Sequence, residues 1–401
     1  MQNLTRTWTA LVRSKAARQN AFALCVLLFW FGASPALAQT AEEIVRIVRA
    51  KGAIAKELIE RRAREGHDVD DLVVRANEIA NLGEAGKLRR ANELLDQLLV
   101  AAYERTGTMG RAQVFKRFAN PQPVVIRDLP LGSGGTPIST EEPFVSRDGR
   151  FLFFNSAQQE NNKDLHYAEW HQGGWVYRDE IGPDINNAKE VQGNPTMDRH
   201  GNFFFIDSGT KTMIRAGRFQ PESGRIESVR EVRGVPPKDV RLLAQKLHGN
   251  MGVEITADGD IAFFSRATWK LKGISLGRII GSELLLARNL GEEFLYDERE
   301  ARRVLATINT QDLEYAASIS ADGLELFFTR LSVDSIASGN VRSSIMRATR
   351  ASDTEAFGEP TLITSIGTSD FVEGPAISPD GRTLYYHKRE RGKFRLYKVT
   401  R

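Results

Sequence analysis

The sequence predicts an all-β five-bladed β-propeller preceded by a small α-helical hairpin region. Three observations carry this expectation. A five-residue turn recurs as Ser146-Arg147-Asp148-Gly149-Arg150, Asp198-Arg199-His200-Gly201-Asn202, Thr256-Ala257-Asp258-Gly259-Asp260, Ser320-Ala321-Asp322-Gly323-Leu324 and Ser378-Pro379-Asp380-Gly381-Arg382, with glycines 52, 58, 64 and 58 residues apart. A period of this size marks one supersecondary unit repeated around an axis or along a stack. Each turn is followed by a nearly continuous apolar run. The last unit also lacks a fourth strand, which a spare segment before the first turn can supply.

Residues 1–38 read as a secretory signal peptide. A basic n-region carries Arg6, Arg13, Lys15 and Arg18, an apolar run of 11 residues follows at 21–31, and Ala36-Leu37-Ala38 forms the cleavage site. The apolar run is too short to cross a bilayer core of about 30 Å, although an uncleaved anchor is the alternative. The absence of paired arginines before it favours the general export route. The single cysteine, Cys25, lies inside this run, so the mature chain has neither disulfides nor thiol chemistry. The formal net charge is +4; without the four n-region cations, 51 basic residues face 51 acidic ones. The basicity therefore belongs to the targeting segment, and the net charge makes no electrostatic case for nucleic acid or acidic lipid.

Residues 39–118 are helical in pattern. Thr40-Ala41-Glu42-Glu43 forms a capping box, and Ile44, Ile47, Val48, Ile54, Leu58 and Ile59 follow near helical spacing. A second helix is expected over about 69–82, with Asp70 and Asp71 at its positive end. Gly83 and Gly86 mark a turn, and a third helix runs over about 88–103. This pair resembles a tetratricopeptide hairpin in size and in its small residue at Ala91. A plain helical cap and a peptide-binding groove are both open readings.

Residues 119–401 hold the repeats. Asp and Pro suit the early turn positions, and Gly takes the position that needs positive φ. Runs such as Phe151-Leu152-Phe153-Phe154 and Phe203-Phe204-Phe205-Ile206 are apolar on both faces, as strands sandwiched between neighbours must be. A sandwich of repeated hairpins is the competing architecture. After the first apolar strand come a polar loop at 158–163, a third strand from Leu165 to Ala168 and a fourth around Trp175. The segment 123–127 is expected to close the ring onto the last blade, through residues 124–126, removing an exposed edge. In the second repeat His200 replaces the usual Asp, so its turn is expected to differ. The loop 236–250 is expected to be an insertion with a short helix at 240–247.

The segment EGPAISPDGRTLYY at 373–386 resembles the TolB-type β-propeller repeat of bacterial envelope proteins. The exits Ile181-Gly182-Pro183-Asp184-Ile185-Asn186 and Thr307-Ile308-Asn309-Thr310 are similar to the inter-blade LGxxIN linker of such repeats in OmpA-associated proteins. The resemblance covers about 120–401 and implies a periplasmic or secreted propeller. Family members carry an α/β domain before the propeller, where this chain has helices.

Chemical signatures are sparse. None of the six histidines falls in an HxH or HExxH pattern, and no GxSxG, Walker or GxGxxG motif follows a strand. Neither catalytic nor metal-ligating residues are assigned, and no cofactor is implied. Asp148, Asp258, Asp322 and Asp380 are expected to cap turn backbone. Glu141, Glu142, Asn194, Glu254, Glu314 and Glu373 precede or open the innermost strands, near the channel mouth. They are candidates to bind a cation or a basic partner, to form a glycosidase pair, or to hydrogen-bond amides between blades. Trp269 is a candidate exposed aromatic contact. The favoured function is non-enzymatic binding or scaffolding in the envelope, with a protein or peptide partner. The alternatives are a carbohydrate-active hydrolase and a periplasmic sensor of a small ligand or cation. Nucleic acid and stable membrane insertion after signal cleavage are not expected. N-terminal sequencing of the envelope-extracted protein is expected to begin at Gln39; recovery of the Met1 chain from membranes would refute cleavage.

Overall fold

The computed structural model describes residues 68–104 and 117–401, apart from short stretches at 133–134, 160–161, 183, 188, 273–274, 338–340 and 369, and scattered positions between 44 and 63. The signal peptide and the capping box lie outside the described residues. The chain divides into two compact units, residues 1–109 and 110–401.

In the first unit, α1 (Asp70–Glu84) and α2 (Leu88–Glu104) pack on each other. The Asp68 carboxylate accepts the Asp70 amide at 3.0 Å, and Asp70 and Asp71 lie at the positive end of α1. Gly86 makes the turn at φ 73°. Leu72 and Ile79 meet Leu95, Leu98 and Leu99 around the buried Ala91, whose missing bulk lets the helices approach.

The second unit is a five-bladed propeller. Before the first turn lie β1 (Ala119–Pro123) and β2 (Ile126–Arg127). Blade 1 is β3 (Glu141–Val145), β4 (Phe151–Gln159), β5 (Asn162–His171) and β6 (Gly174–Glu180), with β2 parallel on its edge. Blade 2 is β7 (Gln192–Met197), β8 (Asn202–Asp207), β9 (Ile214–Gln220) and β10 (Arg225–Glu231). Blade 3 is β11 (Asp239–Arg241), β12 (Lys246–Ile255), β13 (Ile261–Lys272), β14 (Ser275–Asn289) and β15 (Phe294–Tyr296). Its exit passes through α3 (Glu298–Val304), capped by the Asp297 carboxylate. Blade 4 is β16 (Leu313–Ile319), β17 (Glu325–Leu331), β18 (Ser343–Thr349) and β19 (Thr361–Leu362), with α4 (Val333–Ala337) between β17 and β18. Blade 5 is β20 (Val372–Ile377), β21 (Thr383–Glu390) and β22 (Lys393–Thr400), completed by β1.

The continuous apolar runs have a simple reason. In β4, Phe151 and Phe153 face blade 2, while Leu152 and Phe154 face blade 5. In β8, Phe203 and Phe205 face blade 1, while Phe204 and Ile206 face blade 3. Alternate residues thus enter alternate inter-blade cores, so both faces must be apolar. The linker asparagines seal the exits. Asn186 exchanges two hydrogen bonds with Leu165 (2.8 and 2.9 Å), and Asn309 exchanges two with Leu284 (2.8 Å each).

The turn aspartates cap as expected. Asp148, Asp258, Asp322 and Asp380 each accept the preceding Ser or Thr hydroxyl and the amide two residues on, at 2.5–3.1 Å. The second turn differs: Asp198 occupies the Ser position and itself accepts the His200 and Asn202 amides (2.8 and 2.9 Å). The closing strand lies earlier than expected. Residues 119–123 pair with β22, Val124 adds one amide bond to Leu396, and 126–127 join blade 1 instead. A five-residue run cannot serve both edges, so the chain steps from one blade to the next. The loop 236–250 forms strands, not a helix, because β11 and the start of β12 pair as a hairpin. The expected polar loop at 158–163 is mostly strand as well, placing Lys163 on β5.

Closure also uses Phe118, which packs edge-on against Phe327 at 5.8 Å and lies beneath the Arg401 guanidinium at 4.7 Å. A chain beginning at residue 117 is expected to melt cooperatively, and one beginning at 125 to lose the transition and scatter light on heating. Equal melting of the two would refute closure by β1. Gly381→Val, at φ 68°, is expected to lower urea stability by about 1–3 kcal/mol.

Candidate functional site at the channel mouth

Each innermost strand carries one extra residue relative to its partner: the register shifts at 141/144, 193/196, 250/252, 315/318 and 373/376. In four blades the bulge turns a residue to positive φ, at Glu142 (48°), Asn194 (49°), Ala316 (51°) and Gly374 (61°). This rotation aims each freed amide at the preceding blade. Asn194 N–H donates to Asn155 Oδ1 (3.4 Å) and, at shorter range, to Glu142 Oε2 (2.8 Å). Ala316 N–H donates to Ser265 Oγ (2.9 Å), Gly374 N–H to Thr329 Oγ1 (3.1 Å) and Glu142 N–H to His387 Nδ1 (3.1 Å). In blade 3 the bulge sits one residue earlier, and Val253 N–H donates to Asn194 Oδ1. A deeper tier repeats the device: the amides of Ile255, Ile319 and Ile377 donate to Thr196 (3.3 Å), Glu254 (3.1 Å) and Ser318 (3.1 Å).

The candidate acids occupy unlike places on this scaffold. Glu141 and Glu142 share the Lys163 ammonium at 2.7 and 3.4 Å. Gly193 leaves room for Glu142 to cross to blade 2, since a Cβ there would meet Oε2 at 2.9 Å. Burial works against the Lys163 charge, but Glu142 and then Glu141 outweigh it and raise its pKa. Glu373 accepts from the Tyr315 hydroxyl and lies 3.3 Å from His387 Nε2. Because His387 Nδ1 is an acceptor, Nε2 carries the proton aimed at Glu373. Burial, then Glu373, raises the Tyr315 pKa well above its ordinary value, so its oxygen is a donor rather than a base.

Glu254 lies deeper, buried, and takes Thr196 Oγ1 (2.6 Å) and Arg147 Nη2 (3.1 Å). Burial pushes its carboxyl up, while Arg147, Thr196 and the Ile319 amide pull the other way. Arg147, from the first turn, closes the far end by also donating to the carbonyls of Met197 (3.2 Å), Ile255 (2.6 Å) and Ile319 (3.4 Å). Glu314 is fully buried away from the mouth, held by Arg330 (2.8 Å) and Thr310. Trp269 is buried on β13 opposite Leu247 and Ile279, not exposed. The mouth thus gathers Glu141, Glu142, Lys163, Glu373, Tyr315 and His387, with Asn194 beside them. The room left on the axis, between Glu142, Asn194, Glu254 and Ser318, is about 10 Å³, the scale of one water position.

Arg147, Lys163, Tyr315 and His387 were not foreseen. The first two are charges in a turn and a presumed loop. Tyr315 reads as an ordinary residue of an innermost strand. His387 carries a signal that was present: each apolar second strand ends in a polar residue six after the turn glycine, namely Asn155, Asp207, Ser265, Thr329 and His387. His166 and His171 play no part in the mouth. His166 is stacked on Phe154 with its pKa lowered by burial to about 4. Among the described residues, no group of three His, Cys, Asp or Glu converges as a metal site.

No family model and no curated protein matches the chain. Solved structures do: a glycoside hydrolase (10% identity, 71% of this chain and 92% of that one, TM-score 0.46), the α-L-arabinofuranosidase catalytic domain of Coprinopsis cinerea (13%, 71% and 96%, 0.40) and TolB of Acinetobacter baumannii (13%, 67% and 55%, 0.36). At these identities the likeness is one of fold.

Lys163→Met is expected to cost about 1–2 kcal/mol at pH 7, less than a fully buried pair because the side chain is a quarter exposed. Burial opposes the charge, but Glu142 and Glu141 raise the Lys163 pKa above its value in the unfolded chain. The advantage of the parent over the variant is therefore full at neutral pH and shrinks as pH rises past the unfolded lysine value of about 10.4. Urea titrations of both proteins across pH 7–11 check this; a deficit constant with pH would contradict it.

Proposed function

We propose that this chain is an exported, non-enzymatic binding or scaffolding module of the cell envelope. It engages a protein or peptide partner with the mouth of its propeller and the surrounding loops. The observation that carries this reading is the internal commitment of the mouth carboxylates. Each has its own donor or cation, and the axis holds about 10 Å³ of space. A glycosidase needs two carboxyls about 5–10 Å apart flanking room for a sugar ring. Among the described residues the cavity between Glu142, Asn194 and Glu254 is too small for one, and Tyr315 and Lys163 are held in their protonated forms. Binding asks less. Glu142, Glu373 and Lys163 stay 22%, 17% and 26% exposed, leaving a shallow face with more carboxylates than cations. Such a face suits the basic surface of a macromolecule better than a small substrate. Among the described residues, no helix is long and apolar enough to cross a membrane.

The double variant Glu142→Gln, Glu373→Gln retains a carbonyl acceptor for the Asn194 amide and the Tyr315 hydroxyl, so its melting is expected to match the parent. Capture of a basic envelope partner should fall about tenfold, the scale of one charge-assisted hydrogen bond. Turnover of any glycan in a panel by the parent, abolished in the double variant, would overturn the binding reading and establish an enzyme.

A further inference from the structure

Blade 3 is built differently from the others. Its strands β13 and β14 run 12 and 15 residues, against 6–9 for the second and 7–10 for the third strands of the other blades. The excess extends the blade beyond the channel mouth, since it adds to the start of β12 and the end of β13. One face of the extension is anchored: Leu247, Trp269 and Ile279 share it through their pairing, and Gly249 lets Met213 and Trp269 close in.

The opposite face is cationic. Arg241 pairs directly with Lys246, and Lys246 directly with Lys270, placing three like charges side by side across three strands. Lys272 continues the row on β13. Like charges directly opposite destabilise a sheet. Asp239 pairs with Arg241 at 2.7 Å, but Lys246, Lys270 and Lys272 have no ion-pair partner among the described residues. Residues 238–249 and 266–282 together hold seven basic residues and one acidic residue, although the mature chain is balanced. His248, on the same face, reports this field: burial, then Arg241 and Arg266, lower its pKa. At the tip, Val240, Leu242 and Leu243 are 53%, 65% and 106% exposed.

We propose that this hairpin attaches the propeller to an anionic phospholipid surface. The order of chemistry along the tip matches the order of depth in a bilayer. Leu242 and Leu243, in the turn between β11 and β12, lead into the acyl region; Arg241 adjoins Leu242, Lys246 lies three residues after Leu243, and Lys270 stands across from Lys246, at headgroup level. A convex apolar tip with a cation row beside it has no pocket of its own to fill. A lipid surface supplies both the negative charge and the hydrocarbon below it. This is adsorption, not insertion of a spanning element. It does not depend on the reading of the channel mouth: glycan turnover would overturn that reading alone, and the vesicle result below bears on the hairpin alone.

The test uses the chain from Gln39 onward with vesicles of phosphatidylglycerol and phosphatidylcholine, and of phosphatidylcholine alone, at low salt. The parent is expected to co-sediment with the anionic vesicles and to be released by high salt. Lys246→Glu with Lys270→Glu should weaken binding at least about twentyfold, from roughly fivefold per cation removed. Leu242→Ala with Leu243→Ala should weaken it separately and remove the salt-resistant fraction. Arg302→Glu, an exposed cation on α3, should leave binding unchanged. Failure of the parent to bind anionic vesicles overturns the proposal, even if an acidic protein binds the hairpin. So does unchanged binding by both hairpin variants, or an equal loss in Arg302→Glu, which would reduce the effect to net charge.

Discussion

The propeller depends on one backbone problem and its solution. Every innermost strand holds one residue too many, and the bulge frees an amide that must find a partner beside the narrow axis. A side chain from the preceding blade takes it at four of the five interfaces through an equivalent position: Asn155, Ser265, Thr329 and His387. At the fifth, Asn194 reaches forward to Val253, and Asp207 turns outward to the Gly209 amide and Arg215. The bond that the Glu142 amide donates to His387 Nδ1 spans the join between last and first blades. Closure therefore rests on the axis as well as on β1 at the rim.

That arrangement explains how the acids near the axis are used. Glu142 and Glu254 accept amides from the next blade, as Thr196 and Ser318 do, and their charge is answered from within by Lys163 and Arg147. A carboxylate among neutral acceptors of the same job is a structural residue with a counterion. Only the outer part of the mouth, around Glu142 and Glu373, keeps access to solvent.

Much of this was legible in the sequence because repetition is local information. The turn at 146–150 and its copies announced both the hairpins and the blade number, and the substitution at His200 announced its own altered turn. Asn186 and Asn309 were visible as linker residues. What stayed hidden depends on which residue lies across the axis or across a strand pair. Arg147 reads in sequence as a turn residue, yet it contacts three other blades. Glu254 and Glu314 look equivalent beside their strands, but the bulges place one on the axis and the other against Arg330. Residues 123–127 look like one strand because nothing local says that the chain changes blades after Val124. Trp269 and 240–247 were misjudged for a related reason: an extended hairpin alternates residues just as a blade does, so its polar face resembles a loop.

On other blades several charges are answered by an opposite one, although Lys388 also stands directly across from Arg395. Glu325 sits between Arg347 and Arg401, Glu169 between Arg150 and Arg178, and Lys388 faces Asp370. The row Arg241, Lys246 and Lys270 departs from this, and the fold does not require it. The inter-blade amides of blade 3 are satisfied from Val253 inward, and its cores with blades 2 and 4 are made by Phe264, Phe263 and their neighbours. Folding alone would favour trimming the extension, or opposing its cations with acids. The row carries a local electrostatic cost that the proposed anionic surface would relieve.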